Sequence, residues 1–187
     1  MMDERSLTTL PEGLPVPVDD GAAVHLTGTP LPHVALTATD GSEVDLAAIP
    51  GTVVVFAYPR TGRPGEPSLV DDWDAIPGAR GCTPHTSGFR DLHGEFEALG
   101  ARVFGLSTQD TGYQREMTER VQVPFPVLSD AMLELTHALR LPTFEVAGHM
   151  LLKRIAWIAR DGTIERVFYP VFPPDRNAAE VLAALRA

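Results

Sequence analysis

The longest apolar run, Thr52-Val53-Val54-Val55-Phe56-Ala57-Tyr58, is almost wholly β-branched and aromatic and predicts a central strand covered on both faces. Pro59 ends it. Phe89, Leu92, Phe96 and Leu99 then recur at helical spacing, so one helix is expected from Pro84 to Gly100, with proline in its first turn and glycine at its end. Arg102 to Ser107 reads as the next buried strand, residues from about 112 to 121 as a polar helix, and Phe125-Pro126-Val127-Leu128 as a short strand. Met132 to Leu139 reads as helical. Leu151 to Ile158 predicts a strand that Arg160-Asp161-Gly162 joins to a partner over Thr163 to Tyr169. A last helix is expected from about Arg176 to Leu185, with Ala178, Val181, Leu182 and Leu185 on one face and Asp175 as its cap. Helices and strands alternate, as in an α/β domain.

The segments between these elements carry their own signals. Residues 1–32 hold Pro11, Pro15, Pro17, Pro30 and Pro32 with Gly13, Gly21 and Gly28, and are read as an extended arm on a domain spanning residues 33–187. Val34 to Thr37 and Val44 to Leu46 flank Asp40-Gly41, which predicts a hairpin peripheral to the main sheet. The Pro/Gly-rich stretch 59–81 is too long for a routine connection. Its Asp71-Asp72-Trp73-Asp74 lacks an EF-hand pattern and reads as a polar loop with Trp73 tucked against the domain. Phe168 to Pro174 is aromatic and proline-rich, and is expected to pack on the domain.

Length and charge narrow the picture. The chain of 187 residues suits one domain with a full core. A formal charge of −10, from 25 acids against 15 bases, opposes broad electrostatic binding to nucleic acid or anionic membranes. Met1-Met2-Asp3-Glu4-Arg5-Ser6 lacks the apolar core of a secretory signal, and no stretch approaches the roughly 20 apolar residues of a membrane span, so a cytoplasmic protein is expected.

The candidate chemistry centres on Cys82, the sole cysteine, in Gly81-Cys82-Thr83-Pro84 at the start of the predicted helix. A thiol there faces unpaired backbone N–H groups and the positive end of the helix dipole, both of which favour a nucleophilic thiolate. A single cysteine excludes an intrachain disulfide and a Cys-x-x-Cys redox pair. Nearby His85 reads as solvated on the first turn, and His25, His33, His93, His137 and His149 reproduce no zinc spacing, so no metal is expected. Tyr58 and Trp157 are read as core residues that border the thiol pocket.

The order Tyr58-Pro59, loop, Gly81-Cys82-Thr83, helix with Phe89-Arg90-Asp91, then Phe104-Gly105-Leu106-Ser107-Thr108 and Phe125-Pro126-Val127-Leu128-Ser129-Asp130 resembles the peroxiredoxins. Within them it is most similar to the Q-type, or bacterioferritin-comigratory, subgroup, from about Pro32 to the last helix. The resemblance implies a thioredoxin-like fold, a central mixed β-sheet flanked by helices. It also implies a thiol-dependent peroxidase that reduces hydrogen peroxide and organic hydroperoxides through Cys82, without a cofactor, as a monomer or weak dimer. The family's arginine falls on Arg154, with Lys153 a weaker candidate, and Tyr58, Pro59, Gly81 and Thr83 fall in its substrate pocket.

Two departures stand out. The family's Pro-x-x-x-Thr/Ser-x-x-Cys is not kept, because Pro59 lies far upstream and Ala79 stands three before the cysteine; Thr61, which leaves the same strand end, is preferred over Thr83 as the missing hydroxyl. The resolving position of many Q-type members, five after the peroxidatic cysteine, is Ser87. Either this is a one-cysteine enzyme resolved by an external thiol (thioredoxin, glutaredoxin or a small thiol), or Ser87 is an engineered replacement. Two rivals remain at this point: a cysteine hydrolase or acyltransferase with a histidine base, and a redox-inert interaction module.

Overall fold

The computed structural model describes residues 3–187. A seven-stranded sheet runs in the order β2-β1-β5-β4-β3-β8-β9, built from β1 (Ala35–Ala38), β2 (Glu43–Asp45), β3 (Thr52–Ala57), β4 (Ala101–Ser107), β5 (Val127–Ser129), β8 (Ile155–Arg160) and β9 (Thr163–Phe168). β3, β4 and β5 are parallel, while β8 lies antiparallel to β3 and β1 antiparallel to β5, so the sheet is mixed. β6 (Thr143–Val146) and β7 (His149–Leu152) form a separate antiparallel pair.

The helices are α1 (Glu4–Thr8), α2 (Cys82–Asp91), α3 (His93–Ala98), α4 (Thr111–Arg120), α5 (Glu134–Leu139) and α6 (Asn177–Arg186). Every residue of β3 is buried, and its alternation divides the core in two. Val53, Val55 and Ala57 pack with Phe104, Leu106, Trp157 and the α5 residues Leu135 and Leu139. Val54, Phe56 and Tyr58 pack on the opposite face with Cys82, Phe89, Phe96, Val181 and Leu182, beneath α2, α3 and α6. Among the described residues no helix is long and apolar enough to cross a membrane.

Several sequence expectations need correction. The 34–46 hairpin is not peripheral, because β1 pairs with β5 through Thr37↔Ser129 and Ala38↔Leu128 and covers an edge that would otherwise expose unpaired backbone groups. The arm over residues 1–32, of which Met1 and Met2 lie outside the described residues, is not extended throughout: it opens with α1, and Ala23, Leu26 and Leu31 join the core. The helix expected from Pro84 to Gly100 breaks at Leu92 into α2 and α3, next to Gly94, a weak helix former. Asp175 does not cap α6, since it belongs to a 3-10 turn at Pro174–Arg176 that runs into the helix without a side-chain cap.

The correction with the most consequence concerns Leu151 to Ile158. That run is two strands, not one. β7 ends at Leu152, Lys153 N–H donates to Pro142 O at 2.8 Å, and β8 begins at Ile155. Arg154 therefore stands in a break between strands, released from the alternation of either.

Candidate functional site

Cys82 is the first residue of α2, and Gly81 before it has φ +105°. A side chain at Gly81 would be strained in that conformation, and its Cβ would also stand 2.6 Å from Pro174 and 2.7 Å from Leu10. Pro84 has no N–H to offer in the first turn, so the N–H groups of Cys82 and Thr83 are the free donors at the helix start. Gly81, Cys82 and Thr83 line a cavity of about 40 Å³ together with Thr61. Thr61 is held there by Gln109: its N–H and hydroxyl donate to Gln109 Oε1 at 3.0 and 3.2 Å, and Gln109 Nε2 donates to Thr61 O at 3.2 Å. The outer wall carries Tyr113, on whose ring Arg60 and Arg63 stack with guanidinium carbons 4.7 and 3.9 Å from its centre.

Arg154 reaches the sulfur from the strand break. It is only 3% exposed, and its Nη2 lies 3.2 Å from Cys82 Sγ and 3.2 to 3.3 Å from the carbonyl oxygens of Gly78, Ala79 and Arg80. Its Nη1 donates to His85 Nδ1 at 3.0 Å, and His85 Nε2 in turn donates to Asn177 Oδ1 at 2.8 Å. Among the described residues no carboxylate pairs with this guanidinium. A buried cation without a paired carboxylate is costly, so the groups that surround it matter.

Burial keeps two neighbouring groups uncharged. It pushes the Tyr58 phenol well up, reinforced by the neighbouring sulfur, so Tyr58 stays neutral. It pushes His85 well down, reinforced by the charge of Arg154, so the imidazole also stays neutral. Neither Tyr58 nor His85 therefore offers the guanidinium a counter-charge, and Cys82 Sγ is the remaining side chain at its Nη2.

The sequence reading of His85 is overturned. The ring is fully buried against Phe56 and Phe89, at 5.0 and 5.6 Å between ring centres, and both nitrogens are engaged. With Nδ1 accepting from Arg154 and Nε2 donating to Asn177, the imidazole has no lone pair left to take a proton from Cys82. The Cys/His hydrolase reading loses its base. His85, Asn177 and Gln109 are site residues that sequence reasoning missed, and for Asn177 the only signal is a polar residue at the buried start of an apolar helix. Trp157 is also corrected: it pairs with Val55 and points into the opposite core, away from the thiol. Tyr58 sits behind the sulfur rather than in the cavity lining, Pro59 is buried outside that lining, and Ser87 is half-buried further along α2.

A pH dependence follows from His85. An unfolded histidine titrates near 6.5, and the folded one lower, so below pH 6.5 the unfolded chain binds the extra proton. Stability is complete above that value and falls as pH drops through the window beneath it, by at most about 1.4 kcal/mol per pH unit from this group. Urea midpoints at pH 7 and pH 5 are expected to separate more in the wild-type protein than in His85→Gln. Equal separations would rule this out.

Comparison with known proteins adds an independent line. A family model described as Redoxin matches residues 26–185. Chloroplastic peroxiredoxin Q of Oryza sativa subsp. japonica is 26% identical over 161 residues, covering 86% of this chain and 66% of the relative, so the chain spans slightly less than two thirds of that relative's length. Peroxiredoxin bcp1 of Schizosaccharomyces pombe is 29% identical over 164 residues, covering 83% of this chain and 74% of the relative. The crystal structure of peroxidoxin BcpB from Mycobacterium tuberculosis superposes with a TM-score of 0.69 at 27% identity, covering 86% of this chain and 96% of that one.

Proposed function

The chain belongs to the redoxin family, in its Q-type peroxiredoxin branch with the thioredoxin-like fold, and we propose that it is a thiol-dependent peroxidase working through Cys82. The observation that carries this reading is the buried Arg154 guanidinium, 3.2 Å from Cys82 Sγ with no carboxylate among the described residues to neutralise it.

The thiolate attacks the terminal oxygen of a hydroperoxide ROOH. An S–O bond forms as the O–O bond breaks, the sulfur is oxidised by two electrons to sulfenic acid, and the departing RO⁻ takes a proton from water to leave as ROH. Arg154 and the first N–H groups of α2 stabilise the charge that passes from sulfur to the leaving oxygen. Thr61 keeps a hydroxyl lone pair free to accept from the incoming peroxide, because its own proton is given to Gln109.

With Ser87 at the resolving position and no second cysteine in the chain, the sulfenic acid must be reduced by two equivalents of an external thiol. One forms a mixed disulfide with loss of water, and the second releases Cys82. Thioredoxin, glutaredoxin or a small thiol would supply them in a reducing compartment such as the cytoplasm.

The test is the rate constant for Cys82 oxidation by hydrogen peroxide, followed by stopped flow with mass-spectrometric identification of the sulfenic acid and with Cys82→Ser as the blank. Oxidation no faster than that of a free thiol would refute the peroxidase and favour the redox-inert module.

A further inference from the structure

The cavity beside Cys82 is walled on one side by a segment that lies before the residues matched by the redoxin family. Leu7, from α1, lines the cavity with Cys82 and is itself 6% exposed. The helix is set by Asp3, whose Oδ1 accepts from Ser6 N–H at 2.6 Å. It is held down by Arg80, the second residue before the cysteine, whose Nη2 donates to the backbone oxygen of Ser6 and, at 3.2 Å, to its hydroxyl. Arg80 is anchored on its other side by Asp74 at 3.3 Å. Leu10 continues the cover over Gly81. From across the cavity the 59–81 loop contributes Leu69 and Trp73.

The space left is about 40 Å³. One water needs about 10–15 Å³ of such space, so the cavity at the sulfur suits a molecule of a few heavy atoms. A hydroperoxide bearing an aromatic or long alkyl group brings that group against Leu7 as its terminal oxygen reaches the sulfur.

We propose that Leu7, pinned by Arg80 through Ser6, is the specificity-determining residue of the peroxidatic pocket, selecting hydrogen peroxide and comparably small hydroperoxides over bulky organic ones. The proposal rests on the peroxidase reading. Selection is steric: the bulky substrate must either displace a buried leucine or stop short of in-line contact with the sulfur, and each costs rate.

The test compares rate constants for Cys82 oxidation by hydrogen peroxide and by cumene hydroperoxide in the wild-type protein, Leu7→Ala and Leu7→Met. The wild type is expected to prefer hydrogen peroxide. Leu7→Ala should reduce that preference about tenfold or more by raising the cumene hydroperoxide rate. Its hydrogen peroxide rate should stay within about twofold, on the same steric argument. Leu7→Met, of similar volume, should keep the wild-type preference. A preference unchanged in Leu7→Ala, or a wild type that reacts equally with both, overturns the proposal and leaves the peroxidase standing. A wild type that hydrogen peroxide does not oxidise overturns both.

Discussion

Replacing Arg154 with alanine is expected to lower the rate constant for Cys82 oxidation by hydrogen peroxide about 10²- to 10³-fold, the loss typical of removing one preorganised donor at a developing negative charge. The guanidinium performs two tasks that no neighbour can assume. Its Nη2 is the cationic group at Cys82 Sγ, and the same nitrogen gathers the carbonyls of Gly78, Ala79 and Arg80, which fixes the loop that leads into α2. Arg154→Lys keeps a charge but not a planar fork able to serve the sulfur and His85 together, so it should recover only part of the rate. A loss of similar size in Arg154→Ala and Arg154→Lys, with circular dichroism unchanged, would assign the effect to geometry; no loss in Arg154→Ala would remove the arginine from the mechanism.

Phe56→Ala is expected to destabilise the fold by about 3–5 kcal/mol, at the upper range for core aromatic truncations. Phe56 is completely buried and lies 4.2 Å from Phe89 in a near-parallel stack, with Phe125 edge-on at 5.7 Å and His85 edge-on at 5.0 Å. It joins β3 to α2 directly beneath the turn that carries Cys82, so the cavity left by its ring cannot be filled without shifting that helix. Equilibrium urea unfolding at pH 7 measures the change. A destabilisation under about 1 kcal/mol would show that the aromatic cluster relaxes into the space.

Particular residues explain how far the sequence could be read. β3 was legible because a strand buried on both faces has no polar positions to mislead, and Cys82 because proline and glycine punctuate the helix it begins. Trp157 was misplaced for the same reason that β3 was easy: where both faces are apolar, alternation does not say which face holds the thiol, and only its pairing with Val55 decides. The position matched to the family's arginine was visible, but not how it reaches the sulfur, because Leu151 to Ile158 is apolar on both sides of the break and reads as one strand. His85 was misread because its partner Asn177 lies 92 residues away and no local pattern links them. The cover by Leu7 was hidden in a proline-rich stretch whose composition suggests only an arm.

The link from Asn177 to His85 has a consequence for the chain during its synthesis. α6 is made after every other described element, and α2 meets it closely enough that a Cβ on Gly88 would stand 3.2 Å from Asp175 O. Until α6 emerges and docks, His85 Nε2–H lacks its acceptor and the face beneath Phe89 is uncovered. Cys82 and Arg154 are already present in such a nascent chain, but the support that aligns them is not. Domains generally fold as units as they leave the ribosome, and here the support behind the Arg154 guanidinium is complete only once α6 has docked.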